Sequence, residues 1–158
     1  MGFTSWTPIQ HFSLVTLLCH EYEDALAFYA GLLNFSIHED SEIEGWEPGK
    51  RFIALIPPKV TQMAPMVGLR VTRATTRRQQ EAVGNQAGDA VFLFFEVDNF
   101  DETYGTLKAC GVKFLEQEPR EEKFGKAIVF QDPYGNRIDL IDRPTKRTGS
   151  LYARDASV

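Results

Sequence analysis

Two carboxylates stand inside strand-type apolar runs, Glu96 in FLFFEV and Asp139 in NRIDLI, and these side chains have the clearest route to chemistry. Apolar surroundings raise the pKa of a carboxyl group, and a carboxylate raised in this way is suited to act as general base on a carbonyl compound. The three histidines are scattered: His11 and His20 bracket one apolar run and His38 lies in the next, and each reads as a partly exposed structural residue. Nothing supports a cysteine nucleophile. Cys19 alternates with Leu18 onto the helix-packed face of its strand, and Cys110 sits near a helix end with no assignable base.

The elements that must position these groups come in two copies. Residues 14–37, LVTLLCHEYEDALAFYAGLLNFSI, are echoed by residues 92–114, FLFFEVDNFDETYGTLKACGVKF. In each copy an apolar strand-type run ends in an acid-rich break, an amphipathic stretch follows, and a short turn leads to a second strand. The first half predicts strands over 11–19, 35–39, 51–56 and 66–72, with a helix over 22–33. In that helix Tyr22, Ala25, Leu26, Tyr29 and Leu33 form one stripe, and Asn34 takes the left-handed exit. The second half predicts strands over 90–97, 112–117, 126–131 and 137–141, a helix over 99–109 stopped by Gly111, and a turn at DPYGN. Residues 73–89 read as a linker with room for one or two helical turns, and the tail from 143 as loosely held or packed on a neighbouring subunit.

At 158 residues, 43% hydrophobic and 25% charged, the chain is long enough to bury one core or two small fused ones, and one compact unit is expected. A net charge of -5 excludes a nucleic-acid partner that would need a basic surface, and the cluster Arg70, Arg73, Arg77 and Arg78 reads as a solvated segment. Two cysteines make no disulfide framework, so a reducing cytoplasm is expected. MGFTSWTPIQ lacks the pattern of a signal peptide, Trp6 breaks the myristoylation pattern, and no segment has the ~18 apolar residues of a membrane helix.

The blocks VTLLCHEYEDALAFY, FFEVDNFDETYGTL and DPYGNRIDLI, in this order and with the internal repeat, resemble the vicinal oxygen chelate superfamily of glyoxalases, bleomycin-resistance proteins, fosfomycin-resistance proteins and extradiol dioxygenases. The likeness covers residues 11–142. It implies an α+β fold of two tandem βαβββ modules, about 11–72 and 90–142, forming a cupped mixed sheet around a central cavity, often in a homodimer. In metal-using members that cavity holds a divalent ion on His or Gln and Glu side chains, acting as a Lewis acid. Here the position of the His before V-T-L is Leu14, the corresponding position of the second module is Phe92, and the fourth strand, MVGLRVT, has no acid. Only Asp139 fills a ligand position compatibly, and one carboxylate falls short of the two or three protein donors that Zn²⁺ or Fe²⁺ usually takes. No metal and no cofactor are therefore expected.

By the same correspondence Leu14, Thr16 and Leu18 face the cavity from one module, and Phe92, Phe94 and Glu96 from the other. That lining suits a small apolar or aromatic molecule oriented by Thr16, Glu96, Arg137 and Asp139, with Trp46 and Phe124 closing the mouth. The alternative is that these leucines and phenylalanines fill the cup by packing on one another. Glu42, Glu44, Glu116, Glu118, Glu121 and Glu122 read as solubilising surface. Three functions follow: a metal-independent binding protein, an enzyme with a noncanonical ion site around Asp139 that recruits Glu96 or His11, and a metal-free enzyme using Glu96 or Asp139 as base. The expected partners are a small molecule and a second copy of the chain, with neither nucleic acid nor membrane.

Overall fold

A computed structural model of the protein describes residue 9, residues 11–58 and residues 67–142; the expected C-terminal tail and the start of the strand placed at 66–72 lie outside them. The chain forms two compact units, one up to Gly84 and one from Asn85.

In the first unit β1 (Leu14–Cys19) leads into α1 (Tyr22–Leu26), which runs on as a π-helical segment (Ala27–Leu32), followed by β2 (Ser36–Glu42), β3 (Arg51–Ile56) and β4 (Gly68–Arg73). The sheet order is β1-β4-β3-β2, with β1 parallel to β4 and the other pairs antiparallel. Strand alternation sends Leu17, Cys19, Ile53, Leu55 and Val71 to full burial beside the predicted helix stripe of Tyr22, Ala25 and Tyr29. Tyr29 meets Phe28 and Phe35 edge-on, with ring centroids 5.1 and 6.1 Å apart. The π-helical segment closes with the Leu33 amide donating to the Phe28 carbonyl, and Asn34 then takes φ 62°, the left-handed exit expected of it. The linker holds α2 (Arg77–Ala82), started by a capping box between Thr76 and Gln79.

The second unit repeats the order: β5 (Leu93–Val97), α3 (Phe100–Ala109), β6 (Arg120–Glu122), β7 (Gly125–Gln131) and β8 (Arg137–Asp142), in a sheet ordered β5-β8-β7-β6. Again the first strand pairs in parallel with the last, and β8, β7 and β6 run antiparallel. Asn99 caps α3 by accepting from the Glu102 amide, and Phe100 and Leu107 of the helix are buried, as are Ile128, Phe130, Ile138 and Leu140 of the sheet. The rings of Phe100, Tyr104, Phe114 and Phe130 make one continuous aromatic file.

Residues 112–117 do not form the expected strand. The Leu115 amide reaches the Val129 carbonyl, but the Val129 amide is taken at 2.9 Å by the Glu116 side chain, which replaces the main-chain acceptor and ends the ladder. Only an isolated bridge, Phe114 to Phe130, is left, and the ladder partner of β7 is the later β6. Among the described residues no helix is long and apolar enough to cross a membrane.

Candidate functional site

Each sheet has one face of fully buried apolar side chains, and the register assigns residues to the opposite face. In the first unit Leu14 pairs with Gly68, Thr16 with Arg70 and Leu18 with Thr72, and Arg70 pairs in turn with Ala54. Partners in register share a face, so Leu14, Thr16 and Leu18 stand opposite the buried Leu17 and Cys19. Leu14 is 37% exposed. Its Cδ2 lies 3.0 Å from where a Gly68 side chain would begin, with Ile56 Cγ2 at 3.4 Å, so the leucine leans into the space the glycine leaves. A β-carbon there would also stand 2.6 Å from the Leu55 carbonyl oxygen, and only glycine fits.

Beside this apolar corner lies Arg70, half-buried, its guanidinium carbon 4.6 Å from the centre of the Phe52 ring. Its Nε is buried and has no hydrogen-bond partner. The expected solvated run of arginines thus divides. Arg77 and Arg78 are exposed, whereas Arg70 lies on the sheet and Arg73 on the Tyr22 ring, 5.2 Å from its centre. Strand alternation separates what sequence proximity groups together.

In the second unit Phe94 pairs with Asp139 and Asp139 with Val129, while Glu96 pairs with Ile141. Phe94 is 57% exposed, Glu96 is exposed, and Phe92 is half-buried with its amide donating to the Arg137 carbonyl at 2.8 Å. The two candidate bases therefore differ. Glu96 stands in solvent, while Asp139 is buried and accepts from Arg120 Nη2 at 2.8 Å. Burial pushes the Asp139 carboxyl above the ordinary carboxylate range, Arg120 opposes the shift, and Glu116 and Glu122 add to it.

Arg120 is the centre that sequence reasoning missed. It holds Asp139, Glu122 at 3.0 Å and Glu116, whose Oε1 lies 2.7 Å from Nε as an ion pair without an aligned N–H. Glu116 and Glu122, expected as solubilising surface, are part of this network. Arg137 donates from Nη1 to the Asp89 main-chain carbonyl at 2.5 Å. Trp46 is exposed in the loop after β2 with the Lys50 ammonium 4.1 Å from its ring centre, and Phe124 is half-buried in the β6–β7 turn. His11, His20 and His38 are all exposed.

Burial, reinforced by Glu21 and Asp24 and opposed by Arg73, pushes the Cys19 thiol up to about 12, while Cys110 is exposed. Iodoacetamide at pH 8 is therefore expected to alkylate Cys110 alone in the folded protein and both thiols in denaturant, read by peptide mass spectrometry. Equal labelling of Cys19 in the folded state would contradict its burial.

The residues at the implied ligand positions do not fit a divalent cation. Leu14 and Phe92 have no donor atom, β4 offers a guanidinium, and the Asp139 carboxylate is engaged by Arg120. Among the described residues no three His, Cys, Asp or Glu side chains are grouped to hold an ion.

The duplicated strand–helix–three-strand order has close parallels. UcmS2 superposes with a TM-score of 0.66 at 25% identity, covering 84% of this chain and 98% of that one. TnmS3, described as an antibiotic binding protein from Streptomyces sp. CB03234, superposes with a TM-score of 0.65 at 20% identity over 87% of this chain and 99% of that one. An uncharacterized protein of Shewanella frigidimarina (strain NCIMB 400) is 35% identical over 133 residues, 84% of this chain and 93% of the relative. Residues 9–140 match the family model for the Glyoxalase/Bleomycin resistance protein/Dioxygenase superfamily, and the chain, with its two βαβββ units, belongs to that superfamily.

Proposed function

We propose that the protein binds small apolar or aromatic molecules on sheet faces opposite its buried cores, and that binding needs no divalent ion. The observation that carries this reading is the exposure of Phe94, 57%, and Leu14, 37%, at strand positions on the faces opposite the buried cores. Leu18 extends the apolar surface of the first sheet and Phe92 that of the second, with Thr16 and Glu96 as the polar groups of their respective sheets. The fold likeness to TnmS3, an antibiotic binding protein by name, supports a binding role over a catalytic one. So does the tie between Asp139 and Arg120, which leaves that carboxylate short of a free base.

The test uses N-phenyl-1-naphthylamine, a neutral aromatic whose fluorescence rises in apolar surroundings. Saturable binding is expected, unchanged after dialysis against EDTA and weakened by Phe94→Ser. Binding that is lost with the chelator and restored by a near-stoichiometric ion, measured by elemental analysis, would overturn the reading.

A further inference from the structure

Arg70 occupies the middle of β4 on the face opposite the buried Leu69 and Val71, with Thr16 beside it on β1 and Ala54 beside it on β3. Arg73, at the end of the same strand, likewise lies over a ring, that of Tyr22, but its Nε is not buried without a partner, and three other sheet arginines have carboxylates close by. Arg51 is paired with Asp40 and Glu23, Arg120 with three carboxylates, and Arg137 lies near Asp89. Arg70 has no carboxylate partner among the described residues, and its Nε is sealed from water without an acceptor. Glu39, on the same face by register, is two strands away and accepts the Ser41 hydroxyl. A half-buried cation with no counter-charge is an unsatisfied site.

The stereochemistry says what would satisfy it. The Phe52 ring lies 4.6 Å from the guanidinium carbon and occupies one side of the group, and an arginine takes two oxygens of one anion through its remaining N–H donors. Leu14 and Ile56 close over Gly68 one register step away, so the same face offers apolar contact next to the charge. In addition, β4 is the strand where the family resemblance implies an acidic metal ligand. A guanidinium there repels a cation and draws an anion.

We infer that Arg70 receives the oxyanion, a carboxylate, sulfonate or phenolate, of an aromatic ligand whose ring lies across the apolar face beside it. This rests on the ligand-binding reading above. The two are separated by a matched pair of probes: N-phenyl-1-naphthylamine and its sulfonated counterpart, 1-anilinonaphthalene-8-sulfonate. The sulfonate is expected to bind roughly tenfold tighter at low salt, with a preference that shrinks as salt is added.

Arg70→Met should abolish the preference, so that the sulfonate and the neutral probe bind with the same affinity. Arg70→Lys should keep part of the preference, and with the salt series it decides the matter if the methionine variant folds poorly by circular dichroism. Equal affinity for the two probes in the parent protein, or equal losses of both in Arg70→Met, would overturn the role of Arg70 and leave ligand binding standing. Failure of both probes to bind would overturn both.

Discussion

Replacing Asp132 with alanine is expected to lower stability by about 3 kcal/mol, seen as a fall in melting temperature of roughly 9 °C for a chain of this size. Asp132 is 5% exposed and opens the turn between β7 and β8. One carboxylate oxygen accepts from the amides of Tyr134 and Asn136, both at 2.9 Å, and the other from the Asn136 side chain at 2.8 Å. Alanine leaves three donors without an acceptor in a place water reaches poorly, and each such donor costs about 1 kcal/mol or more. The effect reaches the candidate site. The turn sets Gln131 opposite Arg137, and that register places Asp139 opposite Val129 and beside Phe94. Amide hydrogen exchange should therefore quicken in β7 and β8 before it does in α3. Asp132→Asn, which keeps one carbonyl oxygen, should lose less. A melting temperature for the alanine variant within about 1 °C of the parent would show that the turn is held by its main-chain bonds alone.

What the sequence made legible follows from how local each signal is. β3 matches its predicted span because the apolar run RFIALI ends at Pro57 and Pro58, and proline ends a ladder by chemistry alone. Asn34 was identified as a left-handed exit because few residues tolerate that backbone. The same periodicity placed Leu17 and Cys19 under the helix and left Leu14 and Thr16 on the other face. The polar half of the site was illegible for the opposite reason. Arg120 meets Asp139 across 19 positions, and EQEPREEK read along the chain is an ordinary solvated stretch. Glu116 was misplaced with it, because a side chain that substitutes for a main-chain acceptor leaves no mark in hydrophobic periodicity. Arg70 was a milder case. The alternation in GLRVT sets it apart from Leu69 and Val71, but its neighbours Arg73, Arg77 and Arg78 suggested a charged run.

Arg120→Met should destabilise the protein by about 2 kcal/mol near neutral pH and by much less in mild acid. The methionine keeps the apolar stem and removes the charge facing Asp139, whose side chain is 12% exposed, and a carboxylate buried without its partner is strongly disfavoured. The figure is held below that of a fully buried pair because Arg120 is itself 38% exposed and water screens part of the interaction. Burial already raises the Asp139 carboxyl, and Arg120 limits the rise. A carboxyl with a folded pKa above its unfolded value, about 3.9, favours the native state most strongly below that unfolded value, and the advantage is lost as pH rises through the folded pKa. Removing Arg120 moves the folded pKa further up, so the penalty is full above it and fades on acidification. Glu116 and Glu122 also lose a partner, but at 29% and 38% exposure they regain water more readily. Urea midpoints for parent and variant should therefore converge as pH falls from 8 to about 5, and Asp139→Asn combined with Arg120→Met should recover most of the loss at pH 7. Parallel pH profiles would mean that the Asp139 charge is solvated without Arg120. In that case Asp139 would be free to accept a proton from a bound molecule, and the metal-free general-base reading would regain its ground.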